Sequence, residues 1–368
     1  MPFKRIFRDM DYVLFFAVLA LISIGIILIG SATHINETGI ANANFVKRQA
    51  LFAIISILFG FFLMRLDYKG LQEISPYLYV FNIVLLLAVM FIGTSALGAQ
   101  RWIQIGSITL QPSEFSKIIM IICMAEFLTS RWEFLDSFFS WLPVFAYMFV
   151  PFVLVMKQPD LGTSLVFVAI LTGMMIITGF KTKYFLYLFG AGIVSFPLLW
   201  HILKEYQKMR IRVFVNPGLD PYGAGYHVIQ SMIAIGSGTF LGKGLYHGTQ
   251  SQLNFLPENH TDFIFAVAGE EFGLVGTVII LLLYLIVIYR GIMIAKNCND
   301  DFGTLLAVGI VSVLTFHVLV NVGMTAGIMP VTGVPLPFIS YGVSSLTTNM
   351  ILVFILENIQ LHNQSLKF

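Results

Sequence analysis

The chain has 368 residues, 58% of them hydrophobic and only 11% charged, with a mean hydropathy of +0.87 and a net charge of +2. Soluble domains carry roughly 25% charged residues, so the composition excludes an ordinary soluble protein, and the small net charge points to no particular partner. Cys123 sits inside an apolar run and Cys298 beside basic residues, so neither a disulfide framework nor C-x-x-C metal spacing is available.

Apolar runs of about 20 residues recur, each long enough to cross a hydrocarbon core of roughly 30 Å. They predict helices near 12–32, 46–64, 76–94, 112–129, 141–157, 161–180, 184–203, 263–289, 303–325 and 339–359. The fold class is therefore all-α: a polytopic membrane protein of about ten transmembrane helices, one domain over 1–368. The first run follows a short basic N-terminus but exceeds the ~7–15 apolar residues of a secretion signal, and reads as an uncleaved span. An even number of spans puts both termini on one side. Lys4, Arg5, Arg8, Arg65, Lys69, Arg131, Lys181, Lys183, Arg290 and Lys296 fall there, against Lys47, Arg48, Arg101 and Lys157 opposite. The positive-inside rule makes both ends cytoplasmic.

The long loop of about 204–262, between helices 7 and 8, is then extracellular. Within it, Val228, Ile229, Met232, Ile233 and Ile235 follow helical spacing. They predict a short helix lying either on the outer leaflet or against the bundle. Gly236 to Gly244 resembles a phosphate loop, but its glycine spacing is wrong and Gly244 stands where Ser or Thr is required. No nucleotide is expected.

Charged groups near bilayer depth need a reason, and they gather in four places. Gly98-Ala-Gln-Arg101-Trp102 precedes Gln111-Pro-Ser-Glu114-Phe-Ser-Lys117, where Pro112 suits the first helical position and Glu114 the third. Lys117, three residues on, shares a face with Glu114. Either the pair only neutralises itself, or Arg101 meets phosphate and Trp102 a sugar face or the membrane-interface belt. In Gln158-Pro-Asp160-Leu-Gly-Thr163, Asp160 is placed to cap the next helix.

In Phe255-Leu-Pro-Glu258-Asn-His260-Thr-Asp262, Asp262 stands at the outer mouth of an apolar helix, as an N-cap or as chemistry. Glu270 and Glu271 lie roughly 12–14 Å deeper and suit structural bonds to neighbouring segments. Lastly, the prolines of Met329 to Ser345 forbid a regular helix, so this backbone must be buried or line a wet cavity. Ser340, Ser344 and Ser345 either cap the last span or touch substrate.

Together these segments, with Gly248-Thr-Gln-Ser-Gln252 and Gly333-Val-Pro-Leu-Pro-Phe-Ile-Ser-Tyr-Gly342, resemble the SEDS (shape, elongation, division, sporulation) family over nearly the whole chain, and its elongation members most. Val343 departs from the pattern, because the family usually has a second glycine there. The resemblance implies a peptidoglycan glycosyltransferase acting on lipid II at the outer face of a bacterial cytoplasmic membrane. It also implies a class B penicillin-binding protein (a transpeptidase) and other elongation-complex membrane proteins as partners, and no nucleic acid.

The residue matching the family's essential carboxylate is Asp262, either a general base or the holder of a divalent cation (Mg or Mn). Arg101, Trp102, Glu114, Lys117 and Asp160 match motifs bordering the family's polar cavity; Glu258, His260, Arg210 and Ser340 complete the expected substrate contacts. Lys117 and Arg101 are expected ahead of Arg210 and Arg212 on the diphosphate. A lipid II flippase is the alternative from another class.

Overall fold

The computed structural model describes residues 3–34, 43–96, 99–106, 108–202, 205–220 and 223–364; Gly98, Lys204 and Tyr222 lie outside them. In chain order its helices are α1 (Phe3–Asp9), α2 (Tyr12–Ala32), α3 (Ala43–Leu63), α4 (Gly70–Ile92), α5 (Pro112–Thr129), α6 (Leu142–Lys157), α7 (Leu161–Ile177), α8 (Thr182–Ile202), α9 (Glu205–Val215), α10 (Ala224–Ser237), α11 (Thr249–Gln252), α12 (Ile264–Asn297), α13 (Asp301–Thr325) and α14 (Val343–Gln364). Each of the ten expected spans coincides with a helix, α2–α8 and α12–α14. Among the described residues six helices are long and apolar enough to cross a membrane on length and composition alone. The sheet content among the described residues is one small antiparallel meander, β1 (Thr94–Ala96), β2 (Ala99–Ile105) and β3 (Ile108–Leu110).

The centre of the bundle is α13, which packs against α5, α7, α12 and α14. Met120, Ile121 and Met124 of α5 and Leu306, Ile310 and Leu314 of α13 are fully or almost fully buried. Lipid-facing helices such as α4 and α8 instead leave Val80, Phe91, Phe189 and Val194 outward, as expected where the surrounding solvent is itself apolar. At the N-terminal end of the bundle, Arg290 pairs with Asp11 (2.5 Å), the Asp11 N–H donates to Glu357 (2.9 Å), and Tyr68 donates to Asp300. The opposite end carries the meander, α9–α11 and the proline-rich segment before α14.

One span is broken. Gly273 interrupts α12 with φ 63° and ψ −162°, which releases backbone groups at bilayer depth, where each unpaired one costs several kcal/mol. The segment just after α10 repairs the break. Lys243 and Gly244 N–H donate to the Glu270 and Glu271 carbonyls (3.0 Å each), while Leu274 and Val275 N–H donate to the Thr239 and Phe240 carbonyls (2.9 and 3.1 Å). The stretch resembling a phosphate loop is therefore a backbone splice. Approach this close requires glycine on both sides: a Cβ on Gly273 would lie 2.3 Å from Gly242 N, and one on Gly242 would lie 2.1 Å from the Glu271 carbonyl oxygen.

Side chains complete the repair. Glu270 accepts from Lys243 Nζ (2.7 Å), Thr249 Oγ1 and Gln250 N, and Glu271 accepts from Ser31 Oγ (2.5 Å). Both carboxylates thus have the structural role expected of them. Helix α10 packs along α12, with Ser231 Oγ donating to the Thr325 carbonyl (2.8 Å), so of its two expected placements the bundle is the observed one. Gly273→Ala should lower the melting temperature of the purified protein, because it forces a side chain into backbone at a left-handed φ, a change on the order of 1–3 kcal/mol. An unchanged melting curve would show that the splice does not need glycine there.

Candidate active site

The end of the bundle opposite the termini encloses a cavity of about 400 Å³ that brings Arg101, Trp102, Glu114, Arg210, Glu258 and Asp262 together. Asp262 precedes α12, but the helix N-cap is Phe263, and no side chain caps it. The turn is closed by backbone instead: the Glu258 carbonyl accepts from Thr261 N and Phe263 N (3.2 Å each). The Asp262 carboxylate is thus not spent on a cap. Among the described residues nothing donates a hydrogen bond to it.

What fixes Asp262 is its main chain. The carbonyls of three consecutive residues are each held: His260 by Tyr341 N (2.9 Å), Thr261 by Ser340 Oγ (2.7 Å) and Asp262 by Asn321 Nδ2 (2.9 Å). Asn321 donates its second amide hydrogen to the Val334 carbonyl (2.8 Å), so one buried side chain of α13 ties Asp262 to the proline-rich segment. Gly333 closes over the carboxylate with φ 73°, and a Cβ there would stand 3.4 Å from Asp262 Oδ2.

Asp262 is partly open to the cavity but walled by protein. Burial pushes its pKa up to about 6; Glu258, and more weakly Asp160, add to the rise, while Arg210 and Arg101 oppose it.

Arg101 projects from β2 and is anchored by the turn before α7, donating to the Gln158 carbonyl (3.3 Å) and to that of Pro159. Its Nη1 lies 3.8 Å from Asp160 Oδ1. Arg210 of α9 also lines the cavity and donates to the Thr332 carbonyl (3.4 Å). Below them, Glu114 accepts from Lys117 Nζ (2.8 Å) and from Thr348 Oγ1 (3.1 Å). Lys117 Nζ also lies 3.2 Å from His317 Nε2. His317 Nδ1 sits 3.1 Å from the Pro335 carbonyl, an acceptor, so Nδ1 carries the hydrogen and Nε2 accepts from Lys117.

A family model described as cell cycle protein, FtsW/RodA/SpoVE, matches residues 12–365. The chain belongs to this family. It is 44% identical over 299 residues to the peptidoglycan glycosyltransferase MrdB of Escherichia coli, covering 79% of each chain. It is 37% identical over 359 residues to the stage V sporulation protein E of Bacillus subtilis, covering 96% of this chain and 98% of that one. Among solved structures it resembles a chain of a peptidoglycan synthase complex whose polymerization and crosslinking are structurally coordinated (TM-score 0.83, 29% identity, 96% and 98% covered). It also resembles the rod shape determining protein RodA of Thermus thermophilus (TM-score 0.71, 25% identity, 95% and 96% covered).

Against the family expectation, several residues move. Asp262, Arg101, Trp102, Glu114, Glu258 and Arg210 face the cavity. Lys117 does not: only 1% of its surface is exposed, and it lies a layer behind Glu114. Arg212 lies over Trp200 (5.7 Å). Among the described residues the cations on the cavity wall are therefore Arg101 and Arg210. Asp160 caps α7, accepting from Thr163 N (3.1 Å), and also accepts from Ser113 Oγ and Gln111 Nε2, so it positions Arg101 and the α5 start.

Ser340 is buried and holds backbone: its hydroxyl donates to the Thr261 carbonyl (2.7 Å) and accepts from Leu336 N (2.8 Å). The His260 ring packs in a cluster with Phe45 and Tyr341, where burial lowers its pKa against the pull of Glu258. Val343 simply begins α14, a helical position that needs no glycine.

His317 and Asn321 were not singled out from the sequence, although two polar residues four apart in an apolar span are a readable signal. Among the described residues no group of three or more His, Cys, Asp or Glu side chains could hold a metal ion. Asp262 with Glu258 in the same cavity fits a magnesium-type site only if phosphate oxygens complete the shell.

Lys117→Met should destabilise the protein by about 3–5 kcal/mol, because it leaves the Glu114 charge buried and unpaired. The double change Glu114→Gln with Lys117→Met should recover most of that loss in a thermal melt. Losses that simply add would show that the pair is not coupled.

Proposed function

We propose that Asp262 is the reacting-centre carboxylate of a membrane-embedded peptidoglycan glycosyltransferase, extending β-1,4 glycan strands from lipid II during cell elongation. The chain is a peptidoglycan glycosyltransferase of the cell-shape type, matched to MrdB and RodA along most of its length. The observation that carries the role of Asp262 is its uncommitted carboxylate in the same cavity as two arginines.

The 4-hydroxyl of an acceptor GlcNAc attacks the anomeric carbon of a donor MurNAc. The bond to the lipid diphosphate breaks, and undecaprenyl diphosphate leaves with the electron pair. The hydroxyl proton passes to Asp262, and the α-linked donor becomes a β-linked product by a single inversion. A diphosphate leaves as a stabilised anion, so no strong general acid is needed. Arg101 and Arg210 supply positive charge where the leaving group forms, and a carboxylate with a pKa near 6 suits a base working close to neutrality. Trp102 offers an indole face to a sugar. In the second reading of the same site, Asp262 would hold a divalent cation together with the diphosphate oxygens, and the ion would supply charge neutralisation of the leaving group.

The basic residues at the N-terminal end of the bundle support cytoplasmic termini and an outward-facing cavity. Likeness to a chain of the synthase complex supports a class B penicillin-binding protein as partner. A flippase needs a polar path through the membrane. Beneath the Glu114–Lys117–His317 layer, the interior is instead filled by Met120, Met124 and Leu314.

Asp262→Asn should reduce lipid II polymerisation by the purified protein at least about 100-fold, with an unchanged melting temperature near neutral pH or a higher one. Glycan chains of near-normal amount would remove Asp262 from the mechanism. The pH dependence has a definite sign. Asp262 binds its proton more tightly in the folded protein, about 6 against an ordinary 3.8, so its stabilising share is complete below the lower value and lost as pH rises through about 6. Turnover should run the opposite way, rising through about pH 6 as the base ionises. Rates and melts measured from pH 4.5 to 8 check both trends, and parallel trends would exclude Asp262 as the titrating base.

A further inference from the structure

A second cavity, of about 280 Å³, lies at the other end of the bundle between α4, α5 and α6, and glycosyl transfer makes no use of it. Glu126, on its wall, is twelve residues along α5 from Glu114, or about 18 Å. The apolar wall is a stack of rings: Tyr79 and Tyr147 have centroids 4.0 Å apart, and Phe127 and Tyr147 4.4 Å.

Arg131 folds back over this wall, with its guanidinium 3.9 Å above the Phe127 ring and Nη1 donating to Ser130 Oγ (3.2 Å). It is exposed, and among the described residues it makes no ion pair. Among the described residues Glu126 Oε2 is buried without a hydrogen-bond partner. A carboxylate oxygen so placed is unfavourable unless a donor reaches it.

These three features ask for one kind of molecule. The rings want an apolar body, Arg131 an anion, and Glu126 a cation that bears N–H. The cavity lies beside the last two turns of α5, the second and third turns of α4 and the second turn of α6, a depth that suits the boundary between headgroups and acyl chains. The ligand is therefore an amphiphile with adjacent phosphate and ammonium groups. Phosphatidylcholine fails, because a quaternary ammonium has no hydrogen to donate. Phosphatidylglycerol fits less well, because its hydroxyls can donate but it brings no cation to offset the carboxylate.

We propose that this cavity binds a phospholipid whose headgroup ends in a primary ammonium, with Glu126 on the ammonium, Arg131 on the phosphate and the aromatic stack beneath the glycerol. The site is independent of the Asp262 chemistry.

The test is native mass spectrometry of the full-length, delipidated protein in detergent, titrated with phosphatidylethanolamine, phosphatidylcholine and phosphatidylglycerol of matched acyl chains. The ethanolamine lipid should bind at least about tenfold more tightly than either, the factor expected of one charge-assisted hydrogen bond. Glu126→Gln should erase that preference, and Arg131→Ala should weaken ethanolamine and glycerol lipids alike. If Glu126→Gln does not fold, the wild-type ranking and the exposed Arg131→Ala change still decide. Equal binding of the three lipids, or a preference surviving in Glu126→Gln, overturns the proposal. Competition by soluble glycerophosphoethanolamine at similar concentrations would assign the site to a soluble phosphoamine and overturn the lipid reading.

Discussion

The site depends on a main-chain constraint: three successive carbonyls, from His260 to Asp262, are each bound by a donor from elsewhere in the bundle. An aspartate just before a helix would ordinarily turn inward and cap it. Here the backbone is held by Tyr341, Ser340 and Asn321, and the turn closes on Glu258, so the carboxylate has no local donor to satisfy. Its direction is fixed without its charge being used. That separation of holding from reacting is what preorganises a catalytic group.

The proline-rich segment before α14 is the other half of the same device. Its carbonyls at Val334 and Pro335 are taken by Asn321 and His317, one turn apart on α13. Because His317 also meets Lys117, a single helix face links the Asp262 turn, the irregular loop and the Glu114–Lys117 pair. Buried charge at this depth is tolerable only when every partner is present, so the layer under the cavity is stiff as well as polar. The cavity floor is thereby kept from collapsing on Asp262 or drifting away from Arg101.

Much of this was legible in the sequence, and the failures share a cause. The ten spans follow from the lengths of the apolar runs, and Asp160 as a cap follows from local residue chemistry. The Glu114–Lys117 pair follows from helical spacing. What could not be read was which long-range neighbour wins a polar group. Lys117 looked available for phosphate because the sequence does not place His317 of α13 beside it. Ser340 looked free because its two partners belong to different segments. Arg101 and Trp102 stand out as residues, but the single strand β2 that carries both does not. Gly273 looked like any small residue in a span, since the reason for it lies at Gly242.

The broken helix also bears on how the protein is made. Most membrane-crossing helices can leave the translocon complete, with every internal peptide group already paired. The helix around Gly273 is short of partners on both sides of its break until the stretch translated just before it folds back. Insertion of this span is therefore tied to what precedes it on the ribosome, and a nascent chain that misplaced that stretch would leave bare peptide groups in lipid.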